Sequence, residues 1–161
     1  MTYSPHFHGP IDLVVVGENN IVIRLENGER RTVPFLAPPR PPLGVIGRSK
    51  ELLELKRCVF SGGSWAVRGM PGVGKTSLVL ALAYDEEVLV RFSDGILWSG
   101  LGRRGNALAA LGRWALAMGV SSQDIASAAT LESRSKLVHA AIGMRRMLLY
   151  CSPLKLDTSS R

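Results

Sequence analysis

The stretch that decides the fold is Gly69-Met70-Pro71-Gly72-Val73-Gly74-Lys75-Thr76. It matches the pattern GxxxxGK[ST], in which the glycines let the backbone turn so that successive amide groups point at one phosphate. Lys75 would reach the phosphates as a point charge, and the hydroxyl of Thr76 would be offered to Mg²⁺. We therefore predict a phosphate-binding loop, preceded by a short strand at residues 64–68 and followed by a helix at residues 75–84. The predicted binding residues are Gly69, Met70, Pro71, Gly72, Val73, Gly74, Lys75, Thr76 and Ser77, with Thr76 as the metal ligand.

On both sides of this loop the chain alternates between helical and strand-like patterns. Ser49 is a candidate cap for a first helix, and Ser121 to Asp124 form a candidate capping box for a later one. Further strands are predicted at residues 88–92, 96–101 and 147–150, and further helices around residues 108–118 and 137–146. This alternation predicts an α/β fold with a mainly parallel sheet flanked by helices.

The N-terminal part has a different pattern, typical of a small antiparallel meander. Residues 11–16, 21–25 and 32–35 are strand-like and are separated by turn residues, including the pair Asn27-Gly28. A meander this small is not stable alone, so we expect either an interaction tag or an edge packed on the main domain. The proline-rich residues 37–42 are either a ligand for an SH3-like groove or a semi-rigid linker, and we favour the linker. The predicted division of the chain is meander 1–36, linker 37–43, nucleotide-binding domain 44–150 and irregular tail 151–161.

Composition narrows the function classes. The 161 residues are 46% hydrophobic with a formal net charge of +7, which suits a globular protein rather than a disordered one. No apolar run is long enough for a membrane span and no secretory signal is visible, so a cytoplasmic protein is expected. The cations are scattered in pairs without a nucleic-acid motif, which makes nucleic acid an improbable partner. Cys58 and Cys151 lack a metal-type spacing and are expected to be reduced thiols, with a disulfide as the less favoured alternative.

Three segments in order resemble the NB-ARC branch of the STAND ATPases, which are signalling switches that alternate between ADP-bound and ATP-bound states. They are Val45-Ile46-Gly47-Arg48, the loop at residues 69–76, and Phe-Ser-Asp-Gly-Ile-Leu-Trp-Ser at residues 92–99. The resemblance covers roughly residues 44–150. It implies ATP or ADP with Mg²⁺ as ligands, and it implies that Ile46, Gly47 and Arg48 lie near the adenine and ribose.

The sequence departs from the family at its C-terminal end. In the family, the strand at residues 147–150 continues into an acidic pair, the Walker B acids, which hold Mg²⁺ through water. Here Pro153 opposes continuation of the strand, and Asp157 lies too far along to substitute. We therefore expect a partial P-loop NTPase domain, truncated before these acids, that binds ATP or ADP and hydrolyses it weakly or not at all. The alternative is a protein-interaction fragment with a vestigial nucleotide site, whose partner binds the meander or the missing C-terminal regions.

Overall fold

The computed structural model describes residues 14–16, 21–26, 29–39, 45–100 and 106–152. The predicted turns at residues 17–20 and 27–28 and the tail beyond Ser152 lie outside these ranges. The chain divides into two compact units, one drawn from residues 1–36 and 94–161 and the other from residues 37–93. The described residues form a mixed α/β structure with six helices, a three-stranded antiparallel sheet and a two-stranded parallel sheet.

The N-terminal meander of the first unit is confirmed as an arrangement of three strands, but its third strand begins at Glu29, three residues before the predicted start at residue 32. Strands β1 (Val14–Val16), β2 (Ile21–Glu26) and β3 (Glu29–Pro34) pair in sequential order, and both pairings are antiparallel. The register of β2 and β3 places Glu26 opposite Glu29. That register is the one expected when a two-residue connection joins two strands.

The end of the meander joins the second sheet of the same unit. Phe35 forms a parallel bridge with Ile96, and the amide of Leu36 donates to the Ile96 carbonyl at 2.9 Å. Gly95, whose φ is +128°, lies so close to this connection that a Cβ built on it would be 2.4 Å from the Pro34 carbonyl oxygen. Only glycine therefore fits at this position. Of the two roles expected for the meander, this contact supports an edge packed on neighbouring structure.

The parallel sheet consists of β4 (Gly95–Gly100) and β5 (Met147–Ser152), which confirms the predicted strands at 96–101 and 147–150. Strand β5 continues through Ser152, so the predicted irregular tail does not begin at residue 151, because both added residues pair with β4. Three helices connect the two strands: α4 (Ala107–Ala117), α5 (Ser122–Ser127) and α6 (Leu131–Ile142). Parallel strands need such a crossover because the last residue of the first strand and the first residue of the second lie at opposite edges of the sheet. The buried core on this side of the sheet consists of Leu97, Trp114, Ala115, Met118 and Val138.

Side-chain caps and one arginine fix the helical crossover. Only half of the predicted capping box at Ser121 is present: its hydroxyl accepts from the Asp124 amide at 3.1 Å, but the Asp124 carboxylate accepts from that hydroxyl at 2.6 Å and not from the Ser121 amide. Arg134 donates from all three of its nitrogens to backbone carbonyls. The acceptors are Ala128 at 3.0 Å, Leu108 at 3.4 Å and Ile125. This guanidinium thereby holds together segments that the turns alone would leave loosely connected.

The second unit contains α1 (Ser49–Phe60), α2 (Lys75–Ala83) and α3 (Glu86–Arg91), with α1 packed on α2. Five residues of α2 are buried, as its predicted apolar pattern requires. Lys56 of α1 forms an ion pair of 2.7 Å with Asp85, the residue that caps α3. The hydrogen bond to Asp85 raises the pKa of the Lys56 ammonium above its ordinary value.

Two strand predictions in this unit are wrong. Residues 64–68 form no strand, because the described part of the unit contains no other strand to pair with them. Residues 88–92 lie mostly in α3, whose cap Asp85 accepts from the amides of Glu87 and Val88. This N-cap, followed by two acidic residues in the first turn, outweighs the β-branched pattern of Val88 and Val90. The first helix also begins one residue earlier than predicted, with Arg48 as its N-cap and Ser49 as its first helical residue.

The state of the two cysteines and the length of the helices can also be compared with the sequence analysis. Cys58 and Cys151 are both free thiols, and burial raises the pKa of the Cys151 thiol. Within the described ranges, each helix is too short or too polar to cross a membrane.

Candidate functional site

The candidate site is the turn that leads into α2. Helix α2 begins at Lys75, as predicted, and its N-cap is Gly74 in the left-handed conformation with a φ of +87°. Gly72 has a φ of +79° and Gly69 a φ of +152°. A Cβ on Gly72 or Gly74 would contact nothing within 4 Å, so the backbone conformation, rather than lack of space, demands glycine there.

Gly69 is constrained in a second way. A Cβ built on it would lie 3.2 Å from Cγ1 of Val73 and 3.8 Å from Cδ of Lys75. The first glycine of the loop therefore lies directly beneath the two side chains that cross it. An alanine at this position would require Val73 to move by a few tenths of an ångström, whereas its distance to the lysine stem is an ordinary van der Waals contact.

The ammonium of Lys75 folds back over this turn. Its Nζ donates to the Gly69 carbonyl at 2.9 Å and to the Met70 carbonyl at 2.8 Å. An ammonium has three N–H donors, so two hold the loop and a third is available for a ligand. The side chain thus lies across the mouth of the turn, where an anion that contacts the amides would also contact the positive charge.

The amides around Lys75 are available for an anion. Those of Gly72, Gly74, Lys75, Thr76 and Ser77 donate to no other described residue, whereas the Leu78 amide donates to the Gly74 carbonyl at 3.0 Å. Unused amides are normal in the first turn of a helix, and together with the helix dipole they favour negative charge. Here the left-handed residues add the amides of Gly72 and Gly74 to that first turn.

The site is open to solvent. Its side chains would not hold a metal ion unless a bound phosphate ligand supplied further oxygen atoms. Gly72, Val73, Thr76 and Ser77 are exposed, while Gly74 and Lys75 are half-buried. The described residues contain no cluster of three or more His, Cys, Asp or Glu side chains that could hold a metal ion. Thr76 fits the role of one hydroxyl ligand to Mg²⁺, and the remaining ligands would come from phosphate oxygens and water.

The second group of predicted site residues lies at the start of α1. Ile46 is 82% exposed, Gly47 has a φ of +74°, and the Arg48 carbonyl accepts from the Leu52 amide as the helix begins. In the described structure, no hydrogen bond or ion pair joins these residues to the loop. Helix α1 packs on α2, so both groups belong to one unit, but the position of Ile46, Gly47 and Arg48 near the adenine and ribose stays a prediction.

The sequence therefore predicted the helix start, the glycine conformations and the central position of Lys75. It did not predict that the carbonyls of Gly69 and Met70 hold the ammonium, since every residue carries a carbonyl and side-chain identity does not mark them. The strand expected before the loop is absent, so the predicted strand–loop–helix context is confirmed only in its helical half.

Comparison with known proteins adds nothing to this geometry. The chain matches no protein-family model, and neither the curated proteins nor the solved structures include a significant match to it.

Proposed function

We propose that the loop at residues 69–76 binds the phosphates of ATP or ADP, and that the chain is a nucleotide-binding module of an NB-ARC-like switch. The observation that carries the proposal is the set of uncommitted amides around the Lys75 ammonium at the start of α2. Five amides without an acceptor among the described residues and one cation belong to the same exposed turn, and a phosphate group accepts several hydrogen bonds at once. A P-loop NTPase fold is part of this proposal.

The complete motif makes a chance arrangement a weaker explanation than phosphate binding. The hydrogen bonds from Lys75 to the loop carbonyls could form beside any glycine turn, but they would not by themselves coincide with a helix start and its unpaired amides. Here three glycines with positive φ, the start of α2 and the hydrogen bond from Lys75 to the loop all occur within one eight-residue segment, residues 69–76. The similarity of residues 45–48 and 92–99 to NB-ARC proteins is the support for an adenine nucleotide and for the role of a switch.

Hydrolysis is proposed to be weak or absent in this chain. Phosphate binding needs the loop alone, whereas hydrolysis also needs groups that orient water and neutralise the developing charge. Mg²⁺ bound with ATP would supply charge neutralisation at the phosphates. Thr76 would hold that ion on the protein side, and Lys75 would hold the phosphate.

Thermal unfolding with and without nucleotide tests the proposal. A ligand that binds only the folded state stabilises it, by about 2.7 kcal/mol at a hundredfold excess over Kd. We expect Mg-ADP and Mg-ATP to raise the melting temperature and AMP, which lacks the β-phosphate, to raise it much less. The proposal fails if millimolar ADP and ATP leave the melting temperature unchanged, or if AMP stabilises the protein as much as they do.

A further inference from the structure

The groups that face a ligand at this site are all suited to phosphate. The amides of Gly72, Gly74, Lys75, Thr76 and Ser77 are donors whose positions are fixed by the backbone, and the ammonium of Lys75 is a further donor that the Gly69 and Met70 carbonyls hold over the loop. A polyphosphate has acceptor oxygens in every direction and needs no further recognition to bind such a cradle.

The surroundings of the loop offer much less to a base. Ile46 is 82% exposed and Met70 is 78% exposed, so neither side chain lies in a formed wall. A Cβ added at Gly47, Gly72 or Gly74 would find open space. Sites that select a particular base normally bury it between apolar or aromatic walls and read its edge with a few fixed polar groups.

We propose that this site selects its ligand by the polyphosphate tail and not by the base. This inference rests on the proposed phosphate binding and assigns a substrate class to the site. The class is linear polyphosphates, whether or not they carry a nucleoside. ATP and ADP are then ligands because they carry such a tail. GTP and inorganic tripolyphosphate bind the same loop with similar affinity.

Charge supports the same conclusion. The chain carries a formal net charge of +7, which attracts any polyanion without regard to its base. Affinity that comes from one ammonium, amide dipoles and a general positive field falls as salt screens it. Affinity that comes from stacking a buried base does not.

The test is isothermal titration of the full chain with ATP, GTP and sodium tripolyphosphate, repeated with the Lys75→Met variant. We expect the three dissociation constants of the parent to agree within about threefold, and each to rise at least about tenfold in the variant, as the loss of a cation contact of about 1.4 kcal/mol or more would give. Lys136→Met is the matched control, because it removes the same charge from an exposed lysine of α6.

The outcomes separate the two proposals. Should ATP bind at least ten times more tightly than both GTP and tripolyphosphate, with the affinity still dependent on Lys75, base-independent selection is overturned while phosphate binding at the loop stands. Absence of binding by all three ligands overturns both proposals. Equal binding by parent and Lys75→Met overturns both as well, because the ligand would then lie elsewhere.

Discussion

Replacing Lys75 with methionine removes a cation that has one set of contacts in the structure and a second one in the proposed complex. In the free protein its ammonium bonds the carbonyls of Gly69 and Met70, and in the complex it would also contact phosphate. Methionine keeps an unbranched stem of similar size and leaves the helix start intact, because both residues are good helix formers. The variant therefore separates the charge from the shape of the side chain.

The magnitude of each loss follows from the surroundings. The two hydrogen bonds are exposed, so each is worth about 0.5 kcal/mol, the low end of the usual range, and the unliganded variant should lose about 1 kcal/mol of unfolding free energy. A unit charge pair at about 4 Å contributes between about 1 kcal/mol in water and about 4 kcal/mol at an intermediate dielectric. A half-buried lysine lies between these limits. A loss of about 2.8 kcal/mol is expected, which is a rise of about 100-fold in the Kd for ADP.

Both effects can be measured on the same two proteins. Denaturant unfolding without ligand gives the stability term, and titration calorimetry with Mg-ADP gives the affinity term. Lys136→Met, which has the same net charge as Lys75→Met, should change neither by more than about 0.5 kcal/mol. The reasoning is refuted if the parent binds ADP and the Lys75→Met variant binds it within a factor of about three.

Five further substitutions test other parts of the structure. Thr76→Val should weaken Mg-ATP binding by about 1 kcal/mol and leave the binding of ATP in EDTA nearly unchanged, because the hydroxyl acts on the metal ion. Ser77→Ala, which keeps the backbone amide, should change neither value. Arg134→Met should lower the unfolding free energy by about 2 to 3 kcal/mol, since three carbonyls lose a charged donor. Ser99→Ala should raise it by about 1 kcal/mol, because the buried Ser99 hydroxyl has no hydrogen-bond partner in the described structure. Gly95→Ala should lower it by about 3 kcal/mol or more, because the new methyl would meet the Pro34 carbonyl oxygen at 2.4 Å.

Two nearby variants control for these stability predictions, and equilibrium denaturation measures all of them. Gly100→Ala lies on the same strand as Gly95, but its Cβ would make only an ordinary contact of 3.7 Å with the Ser152 hydroxyl. Lys136→Met lies on the same helix as Arg134 but removes only an exposed ion pair with Glu132. If either control lost as much stability as its partner, the contact invoked for that partner would not be the cause.

Local signals in the sequence predicted some elements well and failed at others for a physical reason. The start of α2 at Lys75 and the cap at Ser121 were predictable because glycine conformation and side-chain capping act within a few residues. The cap at Asp85 is equally local and marks α3. The strand prediction for residues 88–92 rested on their β-branched pattern and did not include this cap, although a capped acidic turn is the stronger signal.

The failed strand at residues 64–68 has a different cause. A strand is stable only when a neighbouring strand completes its hydrogen bonds, and local sequence does not say whether one is present. The neighbour expected from residues 88–92 became a helix, so the described part of residues 37–93 offered no partner. In the candidate site, too, local sequence does not show which distant residues come into contact. Loop conformation is set locally, whereas a base-binding wall depends on packing between distant residues such as Ile46 and the loop.

The bridge between Phe35 and Ile96 sets the order in which parts of the chain fold during synthesis on the ribosome. The two partners are separated in the chain by the whole second unit, residues 37–93, which is therefore synthesised in between. The meander cannot form this bridge until β4 has emerged from the ribosome. Helices α1 and α2 are synthesised before β4 and can pack on each other without it. Closing so long a loop is slow compared with forming local helices. The helical unit that carries the glycine loop should consequently be the first part of a nascent chain to resist proteolysis, and the β-structured N-terminus should become resistant only after β4 has left the exit tunnel.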